Sequence, residues 1–181
     1  MRQIPFITII LLAVASCVPV RITTDQIEGT SFLGYETYNF YEIEYQHYDS
    51  LPYNKESMDF LLGEIRKQML NKGFAISDHP DLYLNVGVVV KEQQQTRETD
   101  PRFDMNYMGQ RNYNWEREEV VTGIYEEGAI TIDFVDAENN RLIWQGSAVG
   151  ILTNDVEKMK KRAAYAIEKI FNKMPLNKPQ L

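Results

Sequence analysis

Two stretches of alternating apolar and polar residues, joined by a five-residue turn, leave this chain few folds. Ala129 to Val135 sets Ile130, Ile132 and Phe134 against Thr131 and Asp133, DAENN turns, and Leu142 to Leu152 (LIWQGSAVGIL) returns. A period of two marks a strand with one buried face, and two such runs around a short loop make a β-hairpin. LYLNVGVVV repeats the pattern upstream, with Leu82, Leu84, Val86, Val88 and Val90 on one face and Tyr83, Asn85, Gly87 and Val89 on the other. Glu118 to Tyr125 (EEVVTGIY) also has strand chemistry, as does the aromatic run YETYNFYEIEY from Tyr35 to Tyr45.

A sheet with one apolar face needs a cover, and two segments supply it. Met58, Leu61, Leu62, Ile65 and Met69 recur at helical spacing behind a cap at Asn54 or Ser57, and Asn71-Lys72-Gly73 gives the stop. Val156, Met159, Ala163, Ile167, Ile170 and Phe171 do the same behind Asn154 or Asp155, ending before Met174-Pro175. The order strand, helix, several strands, helix predicts an α+β fold. Two layers are expected, a mostly antiparallel sheet packed against two amphipathic helices, in a single domain over 31–175 with a tail at 176–181. Residues 17–30 read as a tether, with an edge strand in their later part.

The N-terminus carries a different signal. Met1-Arg2-Gln3 is a short positive start, Ile4 to Ala15 is apolar apart from Pro5 and Thr8, and slim residues precede Cys17, the single cysteine. That run fits the roughly 7–15 residues of a secretory signal core and falls short of the roughly 20 of a membrane span. Val14-Ala15-Ser16-Cys17 resembles the lipobox of bacterial lipoproteins. The resemblance implies a signal peptide at 1–16, diacylglycerol on the Cys17 thiol and an acylated new amine. Cleavage after Ala15 by an ordinary signal peptidase, or an uncleaved anchor, are the alternatives. Two or more acyl chains hold a protein on a bilayer without a polybasic patch. Val18 is not aspartate, which in well-studied bacteria would retain a lipoprotein in the inner membrane, so the expected address is the periplasmic face of the outer membrane.

Removing residues 1–16 from 181 leaves 165, ample for one core, and loses Arg2, so the formal charge moves from −7 to −8. An acidic chain without a Lys/Arg stripe is a poor partner for phosphate backbones, and no nucleic acid is expected. Lys91 to Arg117 breaks the pattern, with almost no aliphatic residues and three consecutive glutamines. It reads as a long polar loop, or as the outer part of an extended hairpin. Phe103, Tyr107, Tyr113 and Trp115 within it are hard to bury there, and aromatics among Arg and Asn resemble a binding surface. Disorder or an inserted segment is the other reading of the same residues.

EEGAITIDFVDAENNRLIWQGSAVG, Glu126 to Gly150, resembles the hallmark of a family of bacterial lipoproteins known as domain of unknown function 4136. Gly128, Asp133, Asp136, Ala137, Leu142, Trp144 and Gly146 stand at the matching places. YETYNF, GEIRKQMLNKGF and DHPDLYLNVGVVVKE resemble its first strand, first helix and Asp-Pro-Asp-Leu strand entry, with His79 before Pro80 and with Phe40 where members often carry Trp. The family implies an envelope lipoprotein and a fold, with no agreed activity.

Within that motif Asp133 is expected to be solvated or paired across strands, and Asp136 to open the turn. Trp144 is expected to fill the space between sheet and helices, with Gly146 and Gly150 giving close packing or a bend in that strand. His47 and His79 lack metal-ligand spacing, so no metal and no cofactor is implied. No nucleophile elbow, phosphate-cradling loop or His-Glu-x-x-His occurs, so no catalytic residue is proposed. The expected function is a non-catalytic interaction or assembly protein of the envelope, membrane-bound through acylated Cys17 and engaging an envelope protein partner. The alternative is a small-ligand carrier or sensor with a pocket between the sheet and the 91–117 loop.

Overall fold

The computed structural model describes residues 20–41, 55–99 and 118–175. Along the chain these form β1 (Arg21–Gln26), β2 (Thr37–Phe40), α1 (Lys55–Asn71), β3 (Ala75–Ile76), β4 (Leu82–Glu98), β5 (Glu119–Asp136), β6 (Arg141–Ile151) and α2 (Val156–Asn172). The strands lie in one sheet in the order β1-β6-β5-β4-β2-β3. The fold is α+β.

The sheet is mixed rather than simply antiparallel. β1, β6, β5 and β4 pair antiparallel, but β2 pairs parallel with both β4 and β3. The cause is α1. A helix between β2 and the following strands returns the chain to its starting end, and strands joined by such a crossover run the same way.

Register settles which residues share a face. Leu84 lies opposite Phe134, which lies opposite Trp144; Val86, Ile132 and Gly146 form the next row, and Val88, Ile130 and Ala148 the one after. These rows meet the apolar stripes of the helices, Met58, Leu61, Leu62, Ile65 and Met69 from α1 and Ala166, Ile167, Ile170 and Phe171 from α2, in one buried cluster. Phe134 sits at its centre, edge-on to Phe32, Trp144 and Phe171 with centroids 5.7, 5.2 and 5.9 Å away. Such pairings add to what area burial alone contributes.

The helix ends follow their sequences. α1 stops in a Schellman arrangement: Phe74 N–H donates to the Met69 carbonyl at 3.0 Å and Gly73 N–H to the Leu70 carbonyl at 2.9 Å, with Gly73 at φ +81°. α2 is capped by Asp155, whose carboxylate accepts from Lys158 N–H at 3.0 Å. At the start of α1, Ser57 stands inside the helix, and Asn54 lies outside the described residues.

β4 and β5 run on past the body. The body's last cross-link is Leu152 N–H to the Glu126 carbonyl at 2.9 Å, and beyond it β5 pairs with β4 alone, as far as Glu98 opposite Glu119. Part of the polar segment expected as loop is therefore ladder. Strand pairing is made by backbone groups, and glutamine or arginine side chains do not prevent it.

Candidate functional site

Three places hold the chain's distinctive residues: the turn end of the sheet, the cleft under the helices, and the β4–β5 arm.

At the turn end, strand pairing brings together acids distant in sequence. Asp136 is nearly buried, 7% exposed. Its Oδ1 accepts from Asn139 N–H at 2.8 Å and from Asn139 Nδ2 at 3.2 Å, while Oδ2 accepts from the Tyr35 hydroxyl at 2.5 Å. The Tyr35 hydrogen bond, followed by that from Asn139 N–H, holds the Asp136 carboxyl below the usual carboxylate range. Burial, and then the hydrogen bond to Asp136, push the Tyr35 phenol up to about 12. Next to it, Asp81 Oδ2 accepts from Glu36 N–H at 2.9 Å and from Thr37 N–H and Oγ1 at 2.8 Å each, and Asp81 N–H donates back to Thr37 Oγ1 at 3.0 Å. Each carboxylate is engaged by neighbouring donors, so the cluster locks the entry to β2 onto the β5–β6 turn. Tyr35 and Thr37 had no sequence signal for this role.

Asp133 lies on the face away from the helices, between Asn85 and Gln145 in register, and accepts from Asn85 Nδ2 at 3.2 Å and Gln145 Nε2 at 2.7 Å. It is paired across strands on both sides. Trp144 is buried against Phe134, and Gly146 makes room for it: a Cβ at 146 would lie 2.4 Å from Ile170 Cγ2 and 2.5 Å from Trp144 Cη2. His79 is exposed in the turn before β4. Among the described residues no three His, Cys, Asp or Glu side chains gather as metal ligands, and no helix is long and apolar enough to cross a membrane. Cys17, His47, Phe103, Tyr107, Tyr113 and Trp115 lie outside the described residues.

A cavity of about 320 Å³ opens between the N-terminal halves of α1 and α2 and the sheet. Its walls are apolar, with Phe60 and Leu61 from α1, Val88 and Ile130 from the sheet, and Met159 and Ala163 from α2. A pocket against the 91–117 segment was the expectation. None of the described residues of that segment, 91–99, lines this one, which is walled by α1, α2 and the sheet.

The arm carries an exposed apolar pair. Val121 and Ile124 are 54% and 62% exposed. Three residues apart on a regular strand, they would face opposite ways. The register shift between Gln95 and Thr96 puts Val121 opposite Thr96 and Ile124 opposite Gln94, so both share the face that nearer the body bears the helices.

A single mixed sheet with two helices on one face defines the class. Residues 22–176 match DUF4136, a domain of unknown function, and the chain belongs to that family. No curated protein matches it in sequence. Among solved structures, a PDZ domain protein from Parabacteroides distasonis ATCC 8503 is similar at TM-score 0.55 and 14% identity, over 90% of this chain and 36% of that one. The chain thus spans about a third of that relative's length. Two PelC dodecamer structures from Paraburkholderia phytofirmans are similar at TM-scores 0.52 and 0.51 and identities of 8% and 10%, covering 88% and 90% of this chain and all of theirs. At such identities the likeness is one of fold.

Proposed function

We propose that this protein is a non-catalytic subunit of a cell-envelope assembly, held on the periplasmic face of the outer membrane through acylated Cys17 and engaging a protein partner through the β4–β5 arm. The observation that carries this reading is the arm. A two-stranded ribbon alone in water is marginal, yet this one extends seven residues beyond Lys91, about 23 Å at strand rise, and turns Val121 and Ile124 outward on one face. Such a ribbon gains from a partner surface that covers the pair. The aromatic residues Phe103, Tyr107, Tyr113 and Trp115 lie in the segment that joins its two strands. PelC chains of similar fold form dodecamers, which makes a second copy one form such a partner takes.

The test is photo-crosslinking in living cells from Tyr107 and Trp115, with Cys17→Ala as the anchor control. One partner captured from both positions and lost in the control is the expected result. Absence of any adduct from either position overturns the arm as the interface.

A second reading, a carrier of small apolar ligands, is favoured by the cavity under the helices. Native mass spectrometry of the purified chain then shows a retained non-protein mass.

A further inference from the structure

The cavity has a chemical character that narrows what it takes. Its volume, about 320 Å³, lies at the lower end of the roughly 300–1,000 Å³ of small-ligand sites, and its walls are aliphatic and aromatic. Lys160 and Arg162 of α2 also line it, as does Glu126 of β5. Lys160 Nζ pairs with Glu56 at 3.2 Å and lies 5.8 Å from the Phe60 ring centroid, so its charge sits over an aromatic residue of the wall. Arg162 Nη1 donates to the Ile151 carbonyl at 3.1 Å, which fixes the guanidinium beside the same cavity.

An apolar slot whose charged lining is two cations and one acid is complementary to a single acyl chain ending in an anionic head. We propose that this cavity binds one anionic single-chain amphiphile of the fatty-acid class, its tail between α1, α2 and the sheet and its head at Lys160 and Arg162. The proposal rests on the carrier reading and names its cargo; it is independent of the arm. The protein's own anchor is the rival occupant, because Val20 lines the cavity and Cys17 is three residues away, within about 10 Å of extended chain.

Gly150 offers a clean way to fill the space. It lines the cavity, and a Cβ built there meets only Val20 Cγ2, at 3.7 Å, so a larger side chain has room to enter. The experiment follows the melting temperature of the full chain carrying Cys17→Ser, with dodecanoate and with dodecanol, beside the lipidated wild-type chain in bilayer nanodiscs. Dodecanoate at hundredfold excess over its Kd is expected to raise Tm by roughly 5–10 °C in both proteins. Gly150→Leu, and Ala163→Phe as a second blocking variant, abolish the rise while folding as before. Lys160→Gln with Arg162→Gln makes dodecanoate no better than dodecanol.

A rise in Cys17→Ser but not in the lipidated chain means that the anchor occupies the cavity and overturns the proposal. No rise with either probe overturns it too. In that event a different mass retained in native mass spectrometry leaves the carrier reading standing without this ligand class, and the absence of any retained mass removes both.

Discussion

At the scale of single residues, the acids and glycines of the hairpin have identifiable structural partners. Asp136 is held charged by Tyr35 and Asn139, so its contribution to stability is complete above the unfolded carboxyl pKa of about 4 and is lost as pH falls through its lowered folded value. Tyr35 runs the other way. Its folded pKa of about 12 exceeds the unfolded value near 10, so its contribution is complete below pH 10 and is lost as pH rises toward 12. Tyr35→Phe is expected to cost about 1–2 kcal/mol at pH 7, since it leaves a buried carboxylate oxygen short of a donor, and to flatten the loss of stability between pH 10 and 12. Urea unfolding of the two proteins at pH 7, 10 and 11 checks both effects. The glycines are separable in the same assay. Gly146→Ala forces a methyl group against Ile170 and Trp144 and should cost about 1–3 kcal/mol, whereas Gly150→Ala, with only Val20 nearby, should stay within about 0.5 kcal/mol.

At the scale of elements, alternation and helical spacing in the sequence predicted what the structure contains wherever the period is regular. Most core positions of α1, α2, β4 and β5 were legible because burying one face imposes a period. Val156, on the expected stripe of α2, is nonetheless 63% exposed, and Ala166, outside it, is buried. Irregular places were not legible. β6 skips a residue against β5, so Val135 opposes Leu142 while Phe134 opposes Trp144, and the neighbours Ile143 and Trp144 are both buried. Simple alternation assigns them to opposite faces. The bulge in the arm had no signal either, since nothing in VVTGIY announces that Val121 and Ile124 share a face. Inserting one serine between Gln95 and Thr96, opposite Thr122, should return the arm to regular pairing and turn Val121, three residues from Ile124, to the other face. The expected outcome is an unchanged melting temperature with loss of the adduct crosslinked from Trp115. For α2, Asp155→Ala should remove the cap on Lys158 N–H and lower the urea midpoint of unfolding.

At the scale of the whole molecule, the helices bury one side of the sheet and leave the other side to cross-strand polar pairs, so the body is complete without the arm. The turn-end cluster became visible only in three dimensions, because Tyr35 and Asp136 are 101 residues apart and strand pairing alone brings them together. The cavity was equally hidden, because its lining comes from both helices and several strands that only the fold brings together. The arm's role rests on Val121 and Ile124 forming a contact surface and not a piece of misplaced core. The most direct measurement is the size of the complex solubilised from membranes for the native chain and for Val121→Ser/Ile124→Ser, with the melting temperature of each. The native chain is expected to migrate well above the mass of a single chain, and the double variant to migrate as a free chain with an unchanged Tm. A complex of the same size in both proteins would contradict the arm's role.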